Sequence, residues 1–324
     1  MKAITQQEYG DAGVLRLTDI DAPAAPGKGE VLVDVRAVGV GPETIHIVAG
    51  DPLMVRLGTG IRRPRKKVPG RDVAGVVVAV GPEVEGFAVG DEVLGTSISG
   101  SFAEQALCLA KRLAHKPSDV SWVDAAALPI SGGTALDAVE AGRISEGTRV
   151  LVIGAGGGVG AYAVQLAALR GATVTGVCSA GKADLVRSLG ATDVIDFRVD
   201  EVDRDGAVYD VVLDCTGNRP LSVLKRAVAE GGSLIVVGGD AGKGALLGGF
   251  QRGMLSPVYG LFARRRMVGL MSTEKSSSYA ELSRLVAEGS LRVVLDRTYP
   301  LADAAEAVRH VAGGHNAGKT VVTI

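Results

Sequence analysis

A glycine-rich segment in the middle of the chain can hold phosphate groups. It reads Gly154-Ala-Gly-Gly-Gly-Val-Gly160, follows the apolar run Val150–Ile153 and leads into the helix-like segment Ala161–Ala167. A strand that turns through glycines into a helix brings backbone N–H groups close to a pyrophosphate. The residues predicted to bind a dinucleotide are Gly154, Gly157, Gly158, Val159 and Gly160. The alternative is a glycine-rich turn without a ligand.

The end of the next predicted strand indicates which dinucleotide binds. Sites for NAD place Asp or Glu there to accept hydrogen bonds from the ribose. This chain has Cys178-Ser179-Ala-Gly-Lys182, with no acid. A serine hydroxyl and a lysine ammonium can bind a 2′-phosphate, so Ser179 and Lys182 predict NADPH. In the alternative interpretation Lys182 only begins the next helix.

Two later segments also follow predicted strands and are candidates for contact with the cofactor. Thr216, Gly217 and Asn218 come after the strand Asp210–Leu213, and Gly238 and Gly239 come after Ser233–Val237. Ligands of parallel α/β sheets bind outside the carboxyl ends of the strands. Either segment can instead be a simple turn.

The composition excludes several classes of protein. Hydrophobic residues make up 47% and charged residues 22% of the 324 residues, and the formal net charge is −1. These values are typical of a globular protein and give no reason to expect a nucleic-acid partner. Three scattered cysteines fit a reducing compartment. There is no apolar run of membrane-spanning length and no signal-peptide core, so we expect a cytoplasmic protein without a membrane partner.

The periodicity of apolar residues predicts two domains. Short strands separated by Gly and Pro turns occupy the chain to about Asp119, and strands then alternate with helices to about residue 270. The alternation is typical of a doubly wound parallel (Rossmann) sheet. The predicted fold class is therefore α/β, with a Rossmann domain at 122–271 and a discontinuous β-rich domain at 1–121 and 272–324. Two basic runs, Arg62–Lys67 and Arg264–Arg266, are either solvated loops or an attraction for an anionic ligand.

Several segments together resemble the medium-chain dehydrogenase/reductase superfamily, most closely its zinc-free quinone oxidoreductase branch. They are Val68-Pro-Gly-Arg-Asp-Val-Ala-Gly-Val-Val, Val80–Val93, Gly100-Ser-Phe-Ala-Glu, the glycine segment and Leu189–Phe197. The resemblance covers nearly the full length. It implies a GroES-like β-rich catalytic domain, a nucleotide-binding domain and a homodimer. It also implies that Phe197 flanks the adenine, that Thr134 lies near the nicotinamide, and that Ser272 follows the last Rossmann strand at the site.

The chain departs from this family pattern at the expected catalytic positions. Zinc-dependent relatives have a cysteine where this chain has Gly41 and a histidine where it has Arg71, so no metal is predicted. Zinc-free relatives carry Asn-Pro-x-Asp where this chain has Gly41-Pro42-Glu43-Thr44, in a segment predicted to be a loop. Glu43, Thr44 and His46 are the candidate catalytic residues. Histidine suits proton delivery near neutral pH; the alternative is a structural histidine.

The resulting hypothesis is hydride transfer from NADPH to a small hydrophobic compound with a conjugated carbonyl, an enone or a quinone. Without a metal to polarise the carbonyl, conjugation spreads the negative charge that develops. One alternative is a zinc-free ketone or alcohol dehydrogenase of secondary metabolism. The other is a non-catalytic NADPH-binding protein, which the missing Asn and Asp favour.

Overall fold

A computed structural model describes residues 1–238, 247–263 and 265–324. The described strands are β1 (Lys2–Thr5), β2 (Arg16–Asp19), β3 (Glu30–Val40), β4 (Asp72–Val80), β5 (Glu92–Ser97), β6 (Gln105–His115), β7 (Arg149–Ile153), β8 (Thr173–Cys178), β9 (Asp193–Asp196), β10 (Tyr209–Asp214), β11 (Val228–Val236), β12 (Arg266–Gly269), β13 (Leu295–Pro300) and β14 (Lys319–Thr323). The described α-helices are α1 (Pro42–Ala49), α2 (Val55–Thr59), α3 (Trp122–Ala127), α4 (Pro129–Ala141), α5 (Gly158–Leu169), α6 (Ala183–Ser188), α7 (Leu221–Ala227), α8 (Phe250–Ala263), α9 (Ser276–Ala287) and α10 (Ala304–Ala312).

The chain forms two compact units. The first comprises Met1–Gly133 and Glu274–Ile324, and the second comprises Thr134–Thr273. The first boundary thus lies between residues 133 and 134, whereas the sequence pattern placed it between 121 and 122. The reason is that α3 packs on β3, β4 and β14 of the first unit.

The first unit is built around a mostly antiparallel sheet with the order β13-β14-β3-β4-β5-β6, in which β3 also pairs with β6. That additional pairing closes β3 to β6 into a small barrel. Along β3, Val31, Val33 and Val35 are buried, because alternate side chains of a strand point to the same face. The helix α10 buries its apolar stripe of Ala307, Val308 and Val311 against the same core.

The second unit is a parallel sheet with the order β12-β11-β10-β7-β8-β9. The order reverses between β7 and β10, and the crevice outside the strand ends at such a point is where doubly wound sheets bind ligands. Residues 160–167 of α5 are buried, and the small residues Ala161, Ala163 and Ala167 among them let the helix pack closely. The predicted fold class, a Rossmann sheet plus a β-rich GroES-like domain, is confirmed.

Three described helices were not predicted. The segment expected to be a catalytic loop is α1, which starts with Pro42 in its first turn and ends at Gly50 with φ 58°. Proline is favoured in the first turn of a helix, and glycine adopts the left-handed conformation that ends one. The others are α2 and α8. Within the described ranges no helix is both long and apolar enough to cross a bilayer.

Candidate active site

The glycine turn of the second unit leaves no room for side chains. Gly154 has φ 82°, and a Cβ atom added to it would lie 2.6 Å from Cγ2 of Thr216. A Cβ added to Gly160 would lie 2.1 Å from the carbonyl oxygen of Gly154. The backbone therefore folds back on itself at a spacing that only glycine permits at both positions.

The helix α5 begins at this turn with its N-terminus uncapped by any side chain. Gly157 is the N-cap residue, and its own N–H donates to the carbonyl of Gly154 at 3.0 Å. As in any α-helix, the first-turn N–H groups of Gly158, Val159 and Gly160 have no carbonyl one turn before them. These groups and the helix dipole fit a bound pyrophosphate.

Lys182 lies against this turn. A Cβ added to Gly156 would lie 2.8 Å from Cδ of Lys182, so the lysine stem crosses the second glycine of the segment. Ser179 directly follows β8, and Lys182 ends a short 3₁₀ turn that begins at Ala180. Burial raises the pKa of the Cys178 thiol, and the positive charge of Lys182 opposes that rise. The structure thus brings Ser179 and Lys182 to the end of β8, beside the glycine turn.

Phe197 follows β9, the neighbour of β8. Its N–H donates to the carbonyl of Cys178 at 3.2 Å. Its side chain is 48% exposed, and the guanidinium of Arg198 lies 5.7 Å from the ring centroid. An exposed ring at this strand end is available to stack on a base.

A buried ion pair fixes the segment after β10. The carboxylate of Asp214 is fully buried and accepts from Thr216 Oγ1 at 3.2 Å and from the Gly217 N–H at 3.1 Å. Its other oxygen accepts from Nη2 of Arg252 at 2.8 Å. Thr216 Oγ1 also lies 3.0 Å from Asn218 Oδ1. Sequence reasoning placed Asp214 in the segment facing the cofactor but did not single out Arg252, because it comes from α8, 38 positions further along the chain.

The remaining candidates of the second unit have other surroundings. A Cβ added to Gly238 would lie 2.5 Å from the carbonyl oxygen of Cys215, so this glycine packs on the segment after β10. Gly239 lies outside the described residues. The Ser272 hydroxyl donates to Asp137 Oδ2 at 2.9 Å, which commits its hydrogen within the protein. Thr134 is half-buried on α4.

The first unit carries the candidate catalytic residues on α1. Thr44 is fully buried, and its hydroxyl donates to Glu43 Oε1 at 3.3 Å. A Cβ added to Gly41 would lie 2.3 Å from Glu43 Oε2, so the carboxylate lies over the start of the helix. A negative charge is favourable at that end of the helix dipole.

His46 lies one turn further along α1, on the same face as Glu43. Its Nδ1 lies 2.8 Å from the carbonyl oxygen of Asp51. Because a carbonyl oxygen only accepts, Nδ1 carries the hydrogen, and Nε2 of the neutral ring is an acceptor. His46 can therefore deliver a proton from Nε2 only after it has taken one up.

A buried acid–base pair lies beneath the start of α1 and was not predicted. Asp72 and Lys319 are 0% and 2% exposed, and Lys319 Nζ lies 3.4 Å from Asp72 Oδ2. Asp72 Oδ1 accepts from the N–H of Ile130 at 2.9 Å, and Lys319 donates to Ser131 Oγ at 3.0 Å. Burial raises the pKa of Asp72 to about 7, while Lys319 opposes the rise and the carboxylate of Glu43 adds to it.

The three cysteines are free thiols. Burial raises the pKa of Cys108, Cys178 and Cys215 above the ordinary thiol value. Among the residues that the structure describes, no group of three or more His, Cys, Asp or Glu side chains is arranged to hold a metal ion.

Two families whose descriptions name dehydrogenases match parts of this chain. The family described as "Alcohol dehydrogenase GroES-like domain" matches residues 27–119, and the one described as "Zinc-binding dehydrogenase" matches residues 189–322. The first match covers much of the β-rich unit, and the second extends from the Rossmann unit to the C-terminal strand.

Similar proteins match over most or all of the chain. A chloroplastic quinone-oxidoreductase, QR1 of Triphysaria versicolor, is 33% identical over 99% of this chain and 98% of its own length. A 2-methylene-furan-3-one reductase of Solanum lycopersicum is 35% identical over 74% of this chain and 62% of its own. The structure of mycobacterial Rv1454c complexed with NADPH is 27% identical, with a TM-score of 0.84 over 100% of both chains.

Proposed function

The chain belongs to the medium-chain dehydrogenase/reductase superfamily, in its quinone oxidoreductase-like branch, and from that premise we propose that it transfers a hydride from NADPH to a conjugated carbonyl compound. The family membership makes it an oxidoreductase. The cofactor's identity, the acceptor class and the residue roles below are proposals. They rest on the geometry of the two units.

The position of Lys182 is the main observation that favours NADPH over NADH. Its stem lies across Gly156, which puts the ammonium at the rim of the glycine turn, and Ser179 adds a hydroxyl there. The residues that directly follow β8, Ser179 to Lys182, include no acid to repel a 2′-phosphate. The neighbour with 27% identity is complexed with NADPH, which supports the same cofactor here.

The chain's own residues then have distinct tasks in holding NADPH. The N–H groups of Gly158, Val159 and Gly160 bind the pyrophosphate, and Ser179 and Lys182 bind the 2′-phosphate. Phe197 stacks on the adenine. The segment at Thr216, Gly217 and Asn218, fixed by Asp214, and Gly238 after β11 border the nicotinamide half. Thr134 and Ser272 complete the proposed set.

Bound NADPH supplies a hydride, which adds to the β-carbon of the acceptor while the electron pair of the double bond moves onto the carbonyl oxygen. The resulting enolate must gain one proton to give the saturated product. We assign that proton to Nε2 of His46, which first takes it up from solvent and throughout donates its Nδ1–H to the carbonyl of Asp51. Glu43 positions the acceptor, and the buried Thr44 orients Glu43 through its hydrogen bond. The acceptor is a small, mainly hydrophobic carbonyl compound; one relative is named a quinone-oxidoreductase and another a furanone reductase.

We propose that no metal takes part. Gly41 has no side chain to ligate with, and Arg71 brings a positive charge where zinc-dependent relatives have a neutral histidine. The purified enzyme is therefore expected to keep full activity in excess chelator. One zinc per chain in elemental analysis, with activity lost to the chelator, would overturn this part.

The homodimer implied by the resemblance also remains a proposal. In the second unit β12 is an edge strand, and several apolar side chains of α8 are exposed. They are Phe250, Met254, Leu255, Val258 and Tyr259. Light scattering during size-exclusion chromatography gives the molar mass directly, and a mass of one chain at micromolar concentration would contradict the dimer.

One panel assay tests the function. The purified enzyme is mixed with NADPH or NADH and with a quinone, an enone or a saturated ketone. In a separate reaction it is mixed with NADP⁺ and an alcohol. The absorbance of the reduced cofactor is followed in both. We expect NADPH oxidation with the quinone and the enone, and at least tenfold lower kcat/KM with NADH. Turnover of the saturated ketone or the alcohol alone would identify a ketone or alcohol dehydrogenase. NADPH binding without any turnover would identify a non-catalytic binding protein.

A further inference from the structure

Two arginines of the first unit bind a single carboxylate, and Lys66 lies within electrostatic range of both arginines. Arg112 Nη1 lies 2.8 Å from Glu274 Oε2, and Arg71 donates to Glu274 Oε1. Thr96 Oγ1 donates to Glu274 Oε2 at 2.9 Å, so both carboxylate oxygens are engaged. Lys66 does not contact Glu274 and donates to the carbonyl of Ile98.

The cluster carries unneutralised positive charge. Lys66, Arg71 and Arg112 contribute three charges and Glu274 removes one, which leaves two. Partial burial lowers the pKa of Lys66, and repulsion from Arg71 and Arg112 lowers it further. Lys66 is exposed, so an anion from solvent can reach it and relieve that repulsion.

The arginines keep hydrogen-bond donors for another group. A guanidinium has five N–H donors in a planar fork that matches a carboxylate or a phosphate. Arg71 and Arg112 each contact Glu274 through one Nη group, and their side chains are 33% and 31% exposed. The rest of each fork can face an anion that arrives from solvent.

The cluster is joined to the buried Asp72–Lys319 pair. Arg71 directly precedes Asp72, and Asp72 pairs with Thr96 of β5, whose hydroxyl donates to Glu274. Asp72 is also close enough to Glu43 for that carboxylate to raise its pKa. An anion held by Arg71 would therefore lie close to Asp72, in the unit that carries Glu43 and His46.

We propose that Lys66, Arg71 and Arg112 bind an anionic group of the acceptor, so that the preferred substrates are conjugated carbonyl compounds bearing a carboxylate or a phosphate. This inference rests on the proposed function and further specifies that the preferred substrates are anionic. The anionic group is held while the conjugated double bond of the same molecule accepts the hydride.

A matched pair of acceptors tests the proposal. The enone 4-oxopent-2-enoate and its methyl ester share the same conjugated system and differ in one negative charge. We expect Lys66→Gln and Arg71→Gln each to lower kcat/KM for the acid at least tenfold, the effect of one lost charge-assisted contact, and to change that for the ester less than threefold. Added salt should lower kcat/KM for the acid alone. Lys66→Gln leaves the contacts of Glu274 intact, so it remains informative if Arg71→Gln folds poorly.

The control removes an equal charge from the same strand. Lys111→Gln changes the residue next to Arg112 on β6, whose side chain points to the other face of the strand. It should leave the acid-to-ester ratio unchanged. Competitive inhibition by succinate and by inorganic phosphate, at equal ionic strength, decides which oxyanion the cluster prefers.

The outcomes separate this inference from the proposed function. Reduction of both acceptors, with an acid-to-ester ratio that the variants do not change, would refute the anion site and leave the function standing. If neither acceptor is reduced, calorimetric titration with the saturated product 4-oxopentanoate still decides. Binding to the wild-type chain that is lost in Arg71→Gln supports the site, and no binding to the wild-type chain overturns it.

Discussion

Two local structures of this chain are built in opposite ways. One is the glycine turn of the Rossmann unit, and the other is the Asp72–Lys319 pair of the β-rich unit. At the glycine turn side chains are absent, and a Cβ atom would lie 2.1 Å from a carbonyl oxygen. In the pair, two charged side chains are buried against each other at 3.4 Å. The first arrangement depends on shape and the second on charge, so pH should affect only the second.

The largest expected effect comes from breaking the charged pair. Lys319→Met removes the cation that holds down the pKa of Asp72, so at pH 8 the folded chain must bury an unpaired carboxylate or bind a proton there, which should cost up to about 3–5 kcal/mol of unfolding free energy. At pH 5 Asp72 is protonated, since burial raises its pKa to about 7, and the loss should be much smaller. Denaturant unfolding at both pH values measures the difference. Lys116→Met is the control, because its partner Glu92 is 46% exposed and can rehydrate; its loss should be similar at both pH values.

The same pair sets the sign of a pH dependence. The folded chain holds a proton on Asp72 between about pH 4 and 7, whereas the unfolded chain releases it, so this group's contribution to stability falls as the pH rises through that window. The slope from one such group is at most about 1.4 kcal/mol per pH unit. Asp72→Asn should remove it. Identical pH profiles for the variant and the wild type would show that Asp72 stays ionised throughout.

The next largest effect is expected from disrupting the glycine turn. Gly160→Ala places a Cβ atom against the backbone of Gly154, so the turn must move, and NADPH affinity should fall at least a hundredfold. Fluorescence titration of NADPH measures it, with the same ratio to wild type expected at pH 6 and pH 8. Gly58→Ala on α2 is the control, because a Cβ there meets no atom within 4 Å. Equal affinities for the two alanine variants would contradict the proposed role of the turn.

A smaller effect concerns the choice of cofactor. Lys182→Glu loses a charge-assisted hydrogen bond to the 2′-phosphate, worth about 1.5–3 kcal/mol or roughly 10–150-fold. NADPH binding should weaken by at least that factor, and NADH binding should hardly change. Lys225→Glu on α7 makes the same change of charge in the same unit and should leave the NADPH/NADH ratio unchanged. An unchanged ratio for Lys182→Glu would mean that the phosphate is held elsewhere.

The smallest effect concerns His46. His46→Phe should keep NADPH affinity within about threefold and lower turnover of an enone by about tenfold. Turnover of a quinone should fall less, because a reduced quinone is a stable anion that takes its proton from solvent after release. His315→Phe, at an exposed histidine, is the control. Equal losses on both substrates would assign His46 a positioning role, and no loss on either would make it structural.

The separation in sequence between interacting residues explains which features could be predicted from the sequence. The glycine segment occupies seven consecutive residues, and its steric demand is visible in their order, so the Rossmann fold and the superfamily were predicted and are confirmed. Asp72 and Lys319 are 247 positions apart, and Arg71 and Glu274 are 203 apart. No local pattern predicts such pairs. The helix α1 was missed because Gly41-Pro42 is also typical of a turn. The assigned roles of the site residues stay predictions.

The covered cysteines have a consequence for the chemistry of the proposed substrates. Enones and quinones are electrophiles that alkylate thiols, and the thiolate is the form that attacks. Cys108 and Cys178 are buried, and the pKa of all three thiols, including Cys215 beside the cofactor segment, is raised. The chain therefore offers the proposed substrates little thiolate to alkylate.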